Sequence, residues 1–379
     1  MILCIISCGT NTNKNTRSLP DIVELPDFIY VAGSYYDEDI EKVCYWQGGK
    51  RIDLPIPFGT KMPRVSAITV ENGIVYTAGA YVIPFNREEM EVIYPSVSPG
   101  FKYYNASAFT YPVMRSRPGI YKACYWKDAV RVDLPIPEGA EDSRAYDIAI
   151  LHNTVYTVGG YLTRSGWKPC YWKDTTRIDL PIPDRAAGSP ADLIAVENGI
   201  IYIVGTYTED RIIKLCYWKD AVRTDIALPE RTGYHARTGI AVENETVYIS
   251  GRIVQGDDKT WRACYWQGST LVELPIPEGT THSMALDVTV VDGIVYTTGY
   301  HNDQACYWKN TTRIDLPAPG VWKTNVETLI TGRGESGRAI AVVNGNVYIM
   351  GYSCYWENEA YNYIGHDYGN INAIYIDSR

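Results

Sequence analysis

The tripeptide Cys-Tyr-Trp recurs seven times, at Cys44, Cys124, Cys170, Cys216, Cys264, Cys306 and Cys354. Successive copies lie 80, 46, 46, 48, 42 and 48 residues apart. A repeat of that period restricts the chain to solenoids, propellers or arrays, because a unit so short buries its apolar faces only against its neighbours. In the clearest copy, apolar runs at 148–151 and 155–158 flank a turn at His152-Asn153-Thr154. A variable loop, Cys170-Tyr171-Trp172, a polar turn and Arg177-Ile178-Asp179-Leu180-Pro181 follow. Four short runs rich in β-branched and aromatic residues predict a four-stranded meander, with strands A to D. Asn72-Gly73, Asn198-Gly199, Asp292-Gly293 and Asn344-Gly345 occupy the A–B turn, and these pairs supply the two positive φ angles of a type I′ hairpin.

Seven B strands are expected, through Tyr30, Tyr76, Tyr156, Tyr202, Tyr248, Tyr296 and Tyr348. No A strand precedes Tyr30, while Ala373-Ile374-Tyr375-Ile376-Asp377 at the other end resembles an A strand with no B strand after it. A C-terminal strand that completes the first sheet removes two exposed edges at once. The expected fold is therefore all-β, a seven-bladed β-propeller of four-stranded antiparallel blades over residues 27–379, with the first blade closed by the C-terminal strand. The 32 Tyr against 5 Phe suit sheets whose rings fill the space between blades while hydroxyls reach polar edges.

The segment from Cys124-Tyr125-Trp126 to Asp133-Leu134-Pro135, an aromatic pair, a polar turn and Asp-Leu, resembles the HAF-type repeat of bacterial extracellular proteins. Cys stands where that family has other small or aromatic residues, and the last copy lacks Asp-Leu-Pro. The resemblance implies a propeller-type surface repeat and brings no catalytic residues with it. The start of the chain agrees with a surface address. Ile5-Ile6-Ser7-Cys8 resembles a bacterial lipobox, so residues 1–8 read as a short lipoprotein signal with Cys8 as the acylated residue, and 9–26 as a polar tether. The expected location is the bacterial cell envelope, with membrane contact only through the lipid; the alternative is a soluble cytoplasmic protein.

The seven repeat thiols fall at equivalent positions. On third strands, neighbouring copies would lie on the order of 13 Å apart, well beyond disulfide reach or shared coordination. They are expected to be reduced, buried small hydrophobes, with no metal and no cofactor. A net charge of −9, from 35 Lys plus Arg against 44 Asp plus Glu, argues against nucleic acid as a partner. A monomer is expected.

A–B and C–D turns share one face and are short, so function is expected on the other, where the B–C and D–A connections vary in length. The B–C connection at 82–119 is exceptional and aromatic-rich, including Tyr94, Phe101, Tyr103 and Tyr104. The connection from Ala318 to Arg338 carries Trp322. Arg64, Arg144, Arg237 and Arg338 stand just before expected A strands, as do Asp147, Asp192 and Asp287, with His235 and His282 nearby. Arg and Asp around one concavity suit a carboxylate or sugar acid. Gly332-Arg333-Gly334-Glu335-Ser336-Gly337 fits a dinucleotide fingerprint in letters only, since no helix follows it. The expectation is a non-enzymatic binding module for a glycan or protein. The alternatives are a structural or assembly propeller of the envelope, and a carbohydrate-active hydrolase or lyase.

Overall fold

The computed structural model describes residues 25–38, 40–85, 119–228, 233–255, 260–302, 304–317, 322–323, 329–330, 338–351, 354–363 and 370–377. All regular structure among them is β, and every strand pairing within a unit is antiparallel. Seven sets of four strands follow the meander order, and those of units three and four are joined into one eight-stranded sheet by the pairing of Trp167 with Gly188. Unit one is Asn370–Ile376, Ile29–Asp37, Ile40–Gln47 and Lys50–Asp53, written as strands A to D. Unit two is Lys61–Glu71, Ile74–Pro84, Gly119–Lys127 and Val130–Asp133; unit three is Asp142–Leu151, Thr154–Thr163, Gly166–Lys173 and Thr176–Asp179. Unit four is Ala187–Glu197, Ile200–Glu209, Ile212–Lys219 and Val222–Ile226; unit five is Gly233–Glu243, Thr246–Gln255, Thr260–Gln267 and Thr270–Glu273. Unit six is Ser283–Val291, Ile294–His301, Gln304–Lys309 and Thr312–Asp315; unit seven is Ala339–Val343, Asn346–Met350, Cys354–Glu357 and Ala360–Tyr363.

The local chemistry explains why the units form. Asn72 and Gly73 adopt φ of 52° and 75°, as a type I′ turn requires. At the C–D turn, Asp128 accepts a hydrogen bond from the backbone of Val75 on strand B at 3.1 Å, and Asp174, Asp220 and Asn310 repeat that bond in units three, four and six. A short polar side chain thus satisfies the first free N–H of strand B, tying the two turns of one face together.

The repeated tripeptide owes its form to contacts between units. All seven thiols are buried and outside any disulfide, and burial pushes up the pKa values of Cys44, Cys124, Cys170, Cys264 and Cys306, that of Cys44 to about 12. The Trp rings are buried against the preceding unit. Trp126, Trp172, Trp218, Trp308 and Trp356 each donate their indole N–H to a Pro carbonyl of that unit, at 2.8 to 2.9 Å. The acceptors are Pro55, Pro135, Pro181, Pro275 and Pro317, so Trp and Asp-Leu-Pro are two halves of one joint. Apolar cores accordingly lie between units, not within them. One joins units one and two through Tyr30, Val65 and Trp126, and another joins seven and one through Met350, Tyr355, Val31 and Ile376. The C-terminal strand pairs with strand B of unit one, Tyr375 opposite Tyr30 and Ala373 opposite Ala32.

Candidate functional site

The A strands begin earlier than the turn pattern suggests. Arg64, Arg144, Asp147, Asp192, His235, Arg237 and Asp287 lie within them, not in the preceding connections, while His282 and Arg338 stand immediately before them. The extension is possible because the A strands of units two to six each carry a register shift, falling before Ala67, Asp147, Leu193, Gly239 and Asp287. A bulge inserts one residue and re-aims the side chains around it, which alternation alone does not reveal. Trp322 belongs to a separate two-stranded piece, Trp322–Lys323 with Leu329–Ile330. Cys8 and the aromatics Tyr94, Phe101, Tyr103 and Tyr104 lie outside the described residues.

Asp147 and Asp287 occupy the same post-bulge position in units three and six, and they do the same thing. One oxygen of Asp147 accepts from the backbone of Ile148 at 2.8 Å, and the other from Ile194 of unit four at 2.9 Å. Asp287 accepts from Val288 at 2.9 Å and from Ile340 of unit seven at 3.0 Å. Each carboxyl therefore buckles two neighbouring A strands. Gly239 holds the equivalent place in unit five, where a Cβ would run into the carboxyl of Asp287. The joint there is made by Thr238, whose hydroxyl donates to the carbonyl of Ala285 at 2.6 Å. Burial raises both carboxyls to about 7, against the pull of the backbone amides.

Arg144 is the centre of a different cluster. Its guanidinium lies 4.4 Å from the ring centre of Tyr121 and 5.6 Å from that of Trp167, and 3.7 Å from the fully buried carboxylate of Asp142. Arg64 reaches the same Tyr121 ring from unit two at 5.9 Å. Burial opposes the charge on Arg144, but Tyr146 and Asp142 outweigh it and hold the group protonated. Tyr146 in turn has its pKa raised by burial, with Arg144 pulling it down and Asp192 pushing it up. Arg144, Asp192 and, through Tyr121, Arg64 are thus brought together at units two to four.

A second cluster was not expected. The Arg252 guanidinium sits 3.5 Å from the ring centre of Trp261, and His282 meets the same indole edge-on with centroids 4.7 Å apart. Burial lowers the pKa of Arg252, while Tyr300 opposes the shift through a hydrogen bond. A signal for both clusters exists in the sequence. Tyr121, Trp167 and Trp261 all stand three residues before the Cys of a Cys-Tyr-Trp, where units one, four, six and seven have Glu41, Ile213, Asp303 and Gly351. Of the ten Trp, only Trp167, Trp261 and Trp322 lie outside the tripeptide. Three aromatics at one register position of strand C, each with a guanidinium over it, mark the end of the units where B–C and D–A connections emerge. Because Arg144 covers the buried rings of Tyr121 and Trp167, the accessible group there is the guanidinium and not the aromatic face.

No family model matches this chain, and no curated protein matches it. Among solved structures it is similar to the polysaccharide lyase Uly1, at 12% identity and a TM-score of 0.44 over 91% of this chain and 89% of that one. It is also similar to the GH32 β-fructofuranosidase BmSUC1 of Bombyx mori, at 8% identity and a TM-score of 0.34 over 92% and 85% of the two chains. A third is YCF48 bound to a D1 peptide, at 9% identity and a TM-score of 0.38 over 64% and 74%. At these identities and scores none bears on the ligand or reaction of this chain.

Proposed function

We propose that the seven units close as a seven-bladed β-propeller, tethered to the bacterial envelope through Cys8, and that it is a non-enzymatic module binding a glycan or protein ligand that carries carboxylates. The closure is supported by the core between units seven and one and by the C-terminal strand on unit one. The binding role rests on one observation: guanidinium groups held over aromatic rings at Tyr121, Trp167 and Trp261 on the loop-bearing end. A guanidinium whose plane is fixed by a ring has already lost much of its rotamer freedom, and its fork matches a carboxylate. Arg64, Arg144 and Arg252 are the recognition groups in this reading. His282 orients Trp261, and Tyr94, Phe101, Tyr103 and Tyr104 are candidate contacts. Asp192 sets the polarity around Tyr146. Arg237, Arg338, His235 and Trp322 are further candidate contacts.

The hydrolase reading draws on a pair of free acids, and both oxygens of Asp147 and of Asp287 are engaged by backbone amides. One or two guanidinium–carboxylate contacts give affinities of about micromolar to millimolar, which surface modules raise by multivalency. Arrayed acidic and neutral glycans probed with the full-length Cys8→Ser protein should show retention of uronate-bearing chains. Arg144→Ala and Arg252→Ala should each weaken it about tenfold, the loss of a contact of roughly 1.4 kcal/mol, with binding scored on the folded fraction because Arg144 also pairs the buried Asp142. Binding that is indifferent to both substitutions refutes the assigned groups, and release of new reducing ends or unsaturated products refutes the non-enzymatic reading. The anchor has its own test. In a bacterial host, the chain behind its native upstream region should partition into detergent and incorporate a fatty-acid analogue, and Cys8→Ser should abolish both. Incorporation that survives the substitution rules Cys8 out.

A further inference from the structure

The repeat thiols do not stand alone in their units. In units one, three and four a strand-B Tyr donates its hydroxyl to the strand-D Asp: Tyr35 to Asp53, Tyr161 to Asp179 and Tyr207 to Asp225, at 2.9 to 3.1 Å. The Arg two residues before that Asp holds its other oxygen, as Arg51, Arg177 and Arg223 do. The Cys of strand C lies between these strands, with Cys44 opposite Asp53 and Cys170 opposite Asp179. Unit six keeps the Cys, the Asp and the Arg but has His301 in place of the Tyr. His301 Nε2 lies 2.9 Å from Asp315 Oδ1, and the ligating atoms of His301, Cys306 and Asp315 all fall within 4.8 Å of one another. Among the described residues this is the one such group of three or more.

We propose that His301, Cys306 and Asp315 form a site for a divalent transition-metal ion of the zinc type. An imidazole, a thiolate and a carboxylate are the ligand set of borderline-soft ions, and three atoms at that spacing close on one ion after small side-chain adjustments. The tyrosine units cannot do this, since a neutral phenol that donates to the Asp is no ligand. Charge is balanced in the complex: the thiol gives its proton to solvent as the metal–sulfur bond forms, and thiolate plus carboxylate neutralise the dication. Asp315 exchanges its imidazole bond for the metal and keeps Arg313, 2.9 Å from it, as its outer partner. The thiol and imidazole sides are buried, whereas the Asp315 side chain is 44% exposed, so the fourth position opens to solvent and takes a water molecule. The partners of Cys306 come from its own unit and not from neighbouring thiols.

Cobalt(II) titration of the full-length protein tests this. One equivalent should bind with a thiolate-to-cobalt absorption band in the near ultraviolet, displaced by zinc. His301→Tyr installs the residue that units one, three and four already carry, so it should fold and melt like the parent yet lose the band. Cys306→Ser should lose it as well. No saturable band in the parent overturns the proposal, and so does a band that persists in folded His301→Tyr.

Discussion

Removal of residues 370–379 should unfold the protein or drive it into aggregates, the largest effect expected of any small change to this chain. That segment is strand A of unit one, and it is paired along Ile29 to Ser34. It also carries Ile376 into the core shared with unit seven, and Ile374 packs against that core. Without it, strand B of unit one presents an unpaired edge and two inter-unit cores lose a wall, since Ala373 and Tyr375 pack against the core joining units one and two. Burial of several apolar side chains at about 25 cal/mol per Å² puts the loss above roughly 5 kcal/mol, a large part of the stability of a typical domain. A truncated protein that remains monomeric with an unchanged melting temperature would overturn ring closure. Ile376→Asp tests the same contact without shortening the chain and should fall in the same direction.

Wild-type protein should lose stability as pH rises from about 4 to about 7, relative to a variant carrying Asp147→Asn and Asp287→Asn. Both carboxyls are raised in the fold to about 7 by burial. Below the unfolded value near 4, the acids are protonated in both states. Between about 4 and 7 the folded state holds protons that the unfolded chain has released, so stability declines with pH there and levels off above. A rise from about 4 to about 7 corresponds to at most about 4 kcal/mol per residue. That is a ceiling, because both residues keep a minority of their surface open to solvent. Asn mimics the neutral acid and removes the dependence. The melting temperature of wild type minus that of the double variant should therefore be larger at pH 5 than at pH 8. A difference that grows with pH would mean that the amides from Ile194 and Ile340 hold the carboxylates ionised, and would overturn the sign.

Local pattern carried most of the fold because β-meanders are written in short-range chemistry. Asn-Gly and Asp-Gly pairs specify hairpins within four residues, and β-branched runs specify the strands between them. Even the pairing of the C-terminal strand with unit one was legible, since Ala373 to Asp377 has the composition of an A strand and no B strand after it. The candidate site was legible only in part. Arg144, Asp192 and Arg64 were picked out by their place near the strand starts, but the A strands extend past them, the bulges before Asp147 and Asp287 shift side chains by one position, and no composition marks a bulge. That single shift turns two expected ligand carboxylates into buckles between strands.

What the sequence by itself determined is the unit: its four strands, its turns, its seven copies and the strand left over at the end. Which residues meet across units was decided only when the sheets stacked. Trp172 finds Pro135, Asp147 finds Ile194 and Arg144 finds Tyr121 over separations of 37, 47 and 23 residues. The physical reason is that strand formation answers to each residue's neighbours along the chain. Contact between sheets answers to twist, bulge and packing of whole units, and a substitution such as Tyr to His at position 301 acquires its meaning only from the Cys306 and Asp315 set beside it.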